Sequence, residues 1–164
     1  MKTMIWALML LLCQTPALAA EHADAARIGK QPLPVYLMDQ TAQATNIRSA
    51  PSWQIIQQLA SQNGDYMLTV TEPVNGWWRI ADHVIEDASS GKRVTIPPSG
   101  GWLHYSVLGL GSRNYGGEEL TLYAEPSAQA KAVFSFRDER SLRPMDAQGK
   151  WVKVMTMDGR HRGW

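Results

Sequence analysis

Short alternations of apolar and polar residues run through this chain. In Tyr66–Thr71, Tyr66, Leu68 and Val70 fall on one side and Met67, Thr69 and Thr71 on the other, which is the period of two that marks a half-buried strand. Val35–Met38, Thr45–Arg48, Ile55–Leu59, Leu120–Tyr123, Ala132–Phe136, Ser141–Pro144 and Trp151–Met155 have the same strand character, with polar, Gly or Pro turns between them. Another strand is predicted from Trp77, after the turn signal Asn75-Gly76. Val84-Ile85 and Val94-Thr95-Ile96 flank Ser89-Ser90-Gly91 and predict a β-hairpin. No segment shows a sustained helical period between caps, so the predicted class is all-β, a small barrel or sandwich.

The pattern repeats. Trp77-Trp78-Arg79-Ile80 and Trp151-Val152-Lys153-Val154 each follow a Gly-containing turn, and each precedes a Gly-Trp pair, Gly101-Trp102 or Gly163-Trp164. Upstream, Pro51 stands 26 residues before Trp77 and Pro126 stands 25 before Trp151. The next interval is 25 residues from Trp77 to Trp102 but 13 from Trp151 to Trp164, which places the Val84–Ile96 hairpin as an insertion in the first copy. Landmarks in one order at near-equal spacing predict two copies of one small unit.

The residues resemble the bacterial SH3-like domains called SH3b. Copy one supplies Asn46-Ile47-Arg48-Ser49-Ala50-Pro51, then Asn75-Gly76-Trp77-Trp78-Arg79-Ile80, then Gly100-Gly101-Trp102. Copy two supplies Leu122-Tyr123-Ala124-Glu125-Pro126, then Gly149-Lys150-Trp151-Val152-Lys153-Val154, then Asp158-Gly159-Arg160-His161-Arg162-Gly163-Trp164, without the Asn-x-Arg-Ser start. The resemblance implies two tandem SH3-like β-barrels, residues 34–115 and 116–164. The family continues past its final Trp through a short turn and a closing strand, as copy one does over Leu103–Tyr115, so the second barrel is expected to lack that strand in this sequence.

Residues 1–20 read as a secretory signal peptide: Lys2, an apolar run Ile5–Leu12, Pro16, and the small-x-small pattern Ala17-Leu18-Ala19. Its apolar run is well short of the roughly 18 residues that span a bilayer. The alternative reading is a lipoprotein anchored at Cys13, although Leu12 precedes it where such sites want a small residue. Residues 21–33 are expected to form a flexible lead-in. Cys13 is the sole cysteine, so cleavage at the Ala motif leaves no disulfide, no thiol nucleophile and no zinc–thiolate site.

The 16 basic and 15 acidic side chains include one basic residue, Lys2, in the leader. The exported chain is therefore neutral, which argues against nucleic acid as a partner because phosphate binding needs a surplus of Lys and Arg. His22, His83, His104 and His161 are scattered without metal-ligand spacing. Glu118-Glu119 and Asp138-Glu139 point to opposite faces if extended, and Ser112 and Ser141 lack a nucleophile-elbow context. Neither catalysis nor a cofactor or metal is expected.

Seven tryptophans, six of them beyond the leader, point instead to binding, since flat rings contact a ligand with little loss of rotamer freedom. Trp77 and Trp78 are adjacent on a strand and must face opposite sides. Ile80 shares the face of Trp78, so Trp78 is predicted inward and Trp77 outward; the same parity puts Val152 and Val154 in and Trp151 out. The candidate ligand-binding residues are Trp77, Tyr105, Tyr115, Trp151 and Trp53, with a loop before Asp65 bordering the groove. The resemblance implies peptidoglycan, or an envelope protein or peptide, as the ligand class. The expected function is an exported, periplasmic or extracellular, non-catalytic binding module. Two alternatives remain: the targeting region of a cell-wall hydrolase whose catalytic part lies beyond Trp164, and a structural adaptor.

Overall fold

The computed structural model describes residues 32–41, 44–59 and 66–164. The leader, nearly all of the lead-in and the loop before Asp65 lie outside them. Fourteen strands appear among the described residues: β1 (Leu33–Leu37), β2 (Thr45–Arg48), β3 (Ile55–Leu59), β4 (Met67–Val74), β5 (Trp77–Ile80), β6 (Val84–Glu86), β7 (Arg93–Thr95), β8 (Trp102–His104), β9 (Leu108–Gly111), β10 (Leu120–Tyr123), β11 (Ala132–Phe136), β12 (Ser141–Gln148), β13 (Trp151–Thr156) and β14 (Arg162–Gly163). A 3-10 turn, Tyr105–Val107, joins β8 to β9. The protein is all-β, as the alternation predicts.

Ten strands join in the order β14-β13-β12-β9-β1-β4-β5-β8-β2-β3, and β6–β7 and β10–β11 are separate antiparallel hairpins. The order is open: no barrel closes among the described residues. The predicted Val84–Ile96 hairpin is β6–β7, paired Val84↔Thr95, Ile85↔Val94 and Glu86↔Arg93.

Pairing follows one scheme in both halves. In β2–β3 the register Ile47↔Gln57 skips a residue to Arg48↔Ile55, and in β10–β11 Leu122↔Phe134 skips to Tyr123↔Ala132. Ile80, whose N–H donates to the Gly101 carbonyl at 2.8 Å, has its counterpart in Val154, paired with Gly163; Lys153, the counterpart of Arg79, has its ammonium 5.5 Å from the Trp164 ring centroid. The two glycines of the Gly-Trp pairs are needed for packing. A Cβ on Gly101 would come 2.5 Å from Ile47 Cγ2, and one on Gly163 would come 2.7 Å from the Tyr123 carbonyl oxygen. Ile47 and Leu122, the buried residues of the corresponding strands, press on these positions.

Buried apolar residues fall into two clusters. The larger contains Val35, Leu37, Ile47, Leu68, Val70, Trp78, Ile80, Leu103 and Leu108 among others; the smaller consists of Leu122, Phe136, Leu142 and Val154, with Val152 against it. Trp78 is fully buried while Trp77 is only partly covered, so the parity argument from Ile80 holds.

β9 links the halves by pairing on both edges: Leu108 and Gly109 with Leu37 and Tyr36 of β1, Leu110 and Gly111 with Leu142 and Ser141 of β12. Side chains add three ties. Trp78 Nε1 donates to the Pro144 carbonyl at 2.7 Å. Arg143 Nη1 donates to the carbonyls of Met38 and Leu108 at 2.7 and 3.0 Å, and Tyr36 donates its phenolic proton to Ser141 Oγ at 2.5 Å. Burial lowers the pKa of the Arg143 guanidinium, against which the nearby charge of Asp39 acts.

Candidate functional site

A groove of about 190 Å³ opens beside β5, lined by Asp39, Thr41, Asn46, Arg48, Trp77 and His104, with Ala44 and Val107 at its margins. Its floor follows from strand parity. Because Trp78 turns into the core, Trp77 turns out, and the antiparallel partner of Trp77 on β8 is His104. Their ring centroids lie 5.1 Å apart at 58°. Arg48, near the end of β2, brings its guanidinium carbon 5.9 Å from the Trp77 ring centroid, a cation–π approach. Its Nη1 also donates to the Trp53 carbonyl at 2.6 Å, so one side chain braces the β2–β3 turn and faces the groove.

Asp39 shapes the far wall. It is nearly buried and accepts from Thr41 N at 2.9 Å, Thr41 Oγ1 at 2.7 Å and Thr45 Oγ1 at 2.6 Å. Burial alone would push its carboxyl up, but these hydrogen bonds and the Arg143 charge outweigh it and hold the carboxyl below the usual range. Such a carboxylate is a structural clip for the loop after β1, with its acceptor capacity largely used. Asn46 Oδ1 likewise accepts from Gln58 Nε2 at 2.8 Å.

Burial lowers the pKa of His104, so its ring is neutral at pH 7. Its Nδ1 faces Ser106 Oγ at 2.8 Å. The groove therefore presents an indole face, a neutral imidazole and the Arg48 guanidinium, with the hydrogen-bonded Asp39 carboxylate on its far wall. That set suits a planar or amide-rich ligand bearing a carboxylate, because Arg recognises carboxylates through paired N–H donors.

The five residues singled out in the sequence do not converge. Trp77 forms the groove floor. Tyr105 sits behind it, its ring 4.4 Å from that of His104 and packed on the large core. Trp53 is 69% exposed on the β2–β3 turn and joins the groove only through its carbonyl to Arg48. Tyr115, 75% exposed, lines a different cleft between the halves. Trp151 lies in the second half, edge-on to Tyr123 at 5.8 Å. Tyr123 occupies the place of Arg48 in the corresponding hairpin, so the second half has no cation there.

Sequence reasoning missed Arg48, His104 and the Asp39 clip. Arg48 stood inside the Asn-Ile-Arg-Ser motif, but only the β2–β8 pairing Arg48↔Trp102 brings it toward β5. His161 stacks on Phe134 at 3.9 Å and 7°, and Arg140 lies over Phe136 at 4.7 Å; this second cluster serves the small hairpin. Among the described residues, no group of three His, Cys, Asp or Glu side chains is arranged to hold a metal ion, and no helix is long and apolar enough to cross a membrane.

No protein-family model matches the chain, and no curated protein matches it. Among solved structures it is similar to NlpC1 from Trichomonas vaginalis, with 12% identity and a TM-score of 0.33 over 82% of this chain and 43% of that one. The chain thus spans less than half the length of that protein.

Proposed function

We propose that this chain is an exported, non-catalytic pair of SH3-like units that binds a peptide or glycopeptide ligand of the bacterial envelope in the groove beside Trp77. The observation that carries the proposal is the grouping of Trp77, Arg48 and His104 around one open groove of about 190 Å³. Aromatic and Arg side chains supply most of the energy at many interfaces. Peptidoglycan stem peptides offer both features the groove suits, amide planes and free carboxylates. The shared pairing scheme of the two halves supports the tandem reading, and the apolar leader supports export.

The test is co-sedimentation of the purified chain with peptidoglycan sacculi, beside Trp77→Ala and Arg48→Ala checked by circular dichroism and thermal melting. Wild type should pellet. Each folded variant should lose about 2 kcal/mol of binding, near thirtyfold in affinity. A wild-type chain that stays in the supernatant overturns the wall-ligand reading. Pelleting unchanged in both variants moves the site away from this groove.

A further inference from the structure

A groove of about 370 Å³ lies where the two halves meet, within the range of about 300–1,000 Å³ usual for small-molecule sites. The first half contributes Tyr36 and Met67 to it. The turn after β9 contributes Arg113 and Tyr115, and the start of β12 with the residues before it contributes Glu139, Arg140 and Ser141.

Most charges around this groove are neutralised. Arg140 bonds to both carboxylate oxygens of Asp138 and lies 4.7 Å over Phe136, and Arg137 pairs with Glu119 at 3.7 Å. Two charges in the groove lining are different. Among the described residues, the side chains of Arg113 and Glu139 have no opposite charge within 4 Å, neither each other nor a third group, and no hydrogen-bond partner. A groove that holds one cation and one anion apart is complementary to a ligand carrying both charges.

Arg113 has φ of 57°, a left-handed conformation that non-glycine residues rarely adopt. Its neighbours enforce it. Ser112 N donates to the Arg140 carbonyl and Arg140 N to Ser112 Oγ, both at 3.0 Å, and Ser112 Oγ donates to Asn114 Oδ1 at 2.6 Å. Buried Asn114 donates through Nδ2 to the carbonyls of Arg137 and Glu118 at 2.9 and 3.1 Å. Glycine would take this backbone without strain. A strained residue over-determined by its surroundings, with an unpaired side chain in a groove, is the setting of a ligand clamp. The same bonds tie the Arg113 turn to residues 139–141, so the two unpaired charges stand on one frame.

Further donors lie in the lining. Tyr36 donates its phenolic proton to Ser141 Oγ, which leaves the serine's own proton free, and Arg140 Nε is buried without an acceptor. Buried donors are ordinarily satisfied. Arg113, Ser141 and Arg140 thus offer donors to a carboxylate, whereas Glu139 offers an acceptor to an ammonium group.

We propose that this groove binds a small zwitterion of dipeptide size, its free carboxylate at Arg113 and its free ammonium group at Glu139. Apolar side chains of the ligand rest on Met67 and Tyr115, which are 58% and 75% exposed at the groove. This site is separate from the Trp77 groove and reads different chemistry, because it requires both termini of the ligand to be free.

The test is titration of the ¹⁵N-labelled chain with the dipeptide leucyl-leucine, beside its N-acetyl and C-terminal amide forms, followed by amide chemical shifts. Saturable shifts at Arg113 and at residues 139–141 are expected. Each blocked form should bind about tenfold or more weakly, as loss of one charge-assisted pair requires. Arg113→Gly, which relieves the positive φ, should melt no lower than the wild-type chain, yet bind leucyl-leucine about tenfold less tightly and no longer distinguish it from its amide. Glu139→Gln should no longer distinguish leucyl-leucine from its N-acetyl form while still preferring it to the amide. No saturable shift at these residues, equal binding of the three forms, or discrimination unchanged in both variants would each overturn the proposal. None of these outcomes bears on sacculus binding.

Discussion

Replacing Trp78 by Phe should destabilise the protein far more than the same change at Trp77, although the two are neighbours on β5. Trp78 is fully buried and its Nε1 donates at 2.7 Å to the carbonyl of Pro144, on a strand of the other half. Phe removes that donor and leaves a buried carbonyl without a partner, which costs about 1–3 kcal/mol. It also removes two ring carbons from the core, at about 0.8 kcal/mol for each buried carbon group. The sum is about 2.5–4.5 kcal/mol. At roughly 4 °C per kcal/mol for a chain of this size, the melting temperature should fall by roughly 10–18 °C. Trp77→Phe changes a partly exposed ring in the groove and should cost less than about 1 kcal/mol. Thermal melts followed by far-ultraviolet circular dichroism at one pH and salt concentration measure both. If Trp78→Phe lowers the midpoint no further than Trp77→Phe does, the bond to Pro144 and the inward packing of Trp78 contribute nothing, and the account of how the halves are joined is wrong.

Because β9 pairs with both β1 and β12, and Arg143 and Tyr36 bridge the halves, calorimetry should show a single unfolding transition; two resolved transitions would refute the coupling. Gly163→Ala forces a Cβ to 2.7 Å from the Tyr123 carbonyl, and the overpacking should cost about 1–3 kcal/mol in urea unfolding. Gly117→Ala, with open space around it but φ of 70°, should cost only about 1 kcal/mol. Asp39 has a folded pKa below its unfolded value near 3.9. Its stabilisation is therefore complete above about pH 4 and is lost as pH falls through the lower folded value; Asp39→Asn should flatten the acid limb of the stability–pH curve. His104, also depressed by burial, contributes stability that is full above about pH 6.5 and declines as pH falls through its lowered folded value. His104→Gln should remove that decline from melts taken between pH 7 and 5.

The strands were legible in the sequence because each carries its own signal. Alternation in Tyr66–Thr71 needs only that one face be buried, and Asn75-Gly76 can take the positive φ of a two-residue hairpin turn, as it does at 50° and 80°. Parity alone separated Trp78 from Trp77, since a pleated strand sends neighbours to opposite faces whatever its partners. The duplicated Gly-Trp pairs were visible too, and their cause is steric: Gly101 and Gly163 each lie against a buried residue of the next strand, leaving no room for a Cβ.

Strand partners were not legible, because pairing depends on long-range contacts that no local pattern encodes. β9 shows this best. Leu110 and Gly111, placed by their position with the first unit, pair with β12 of the second. The groove beside Trp77 has the same origin. An aromatic face, a guanidinium and an imidazole from residues 48, 77 and 104 meet because β2, β8 and β5 are adjacent. Sequence by itself determined the all-β class, the strands and the inward and outward faces, all products of backbone geometry and burial. Tertiary structure alone decided which exposed residues share a site, since adjacency across a sheet is settled by the energy of the whole core.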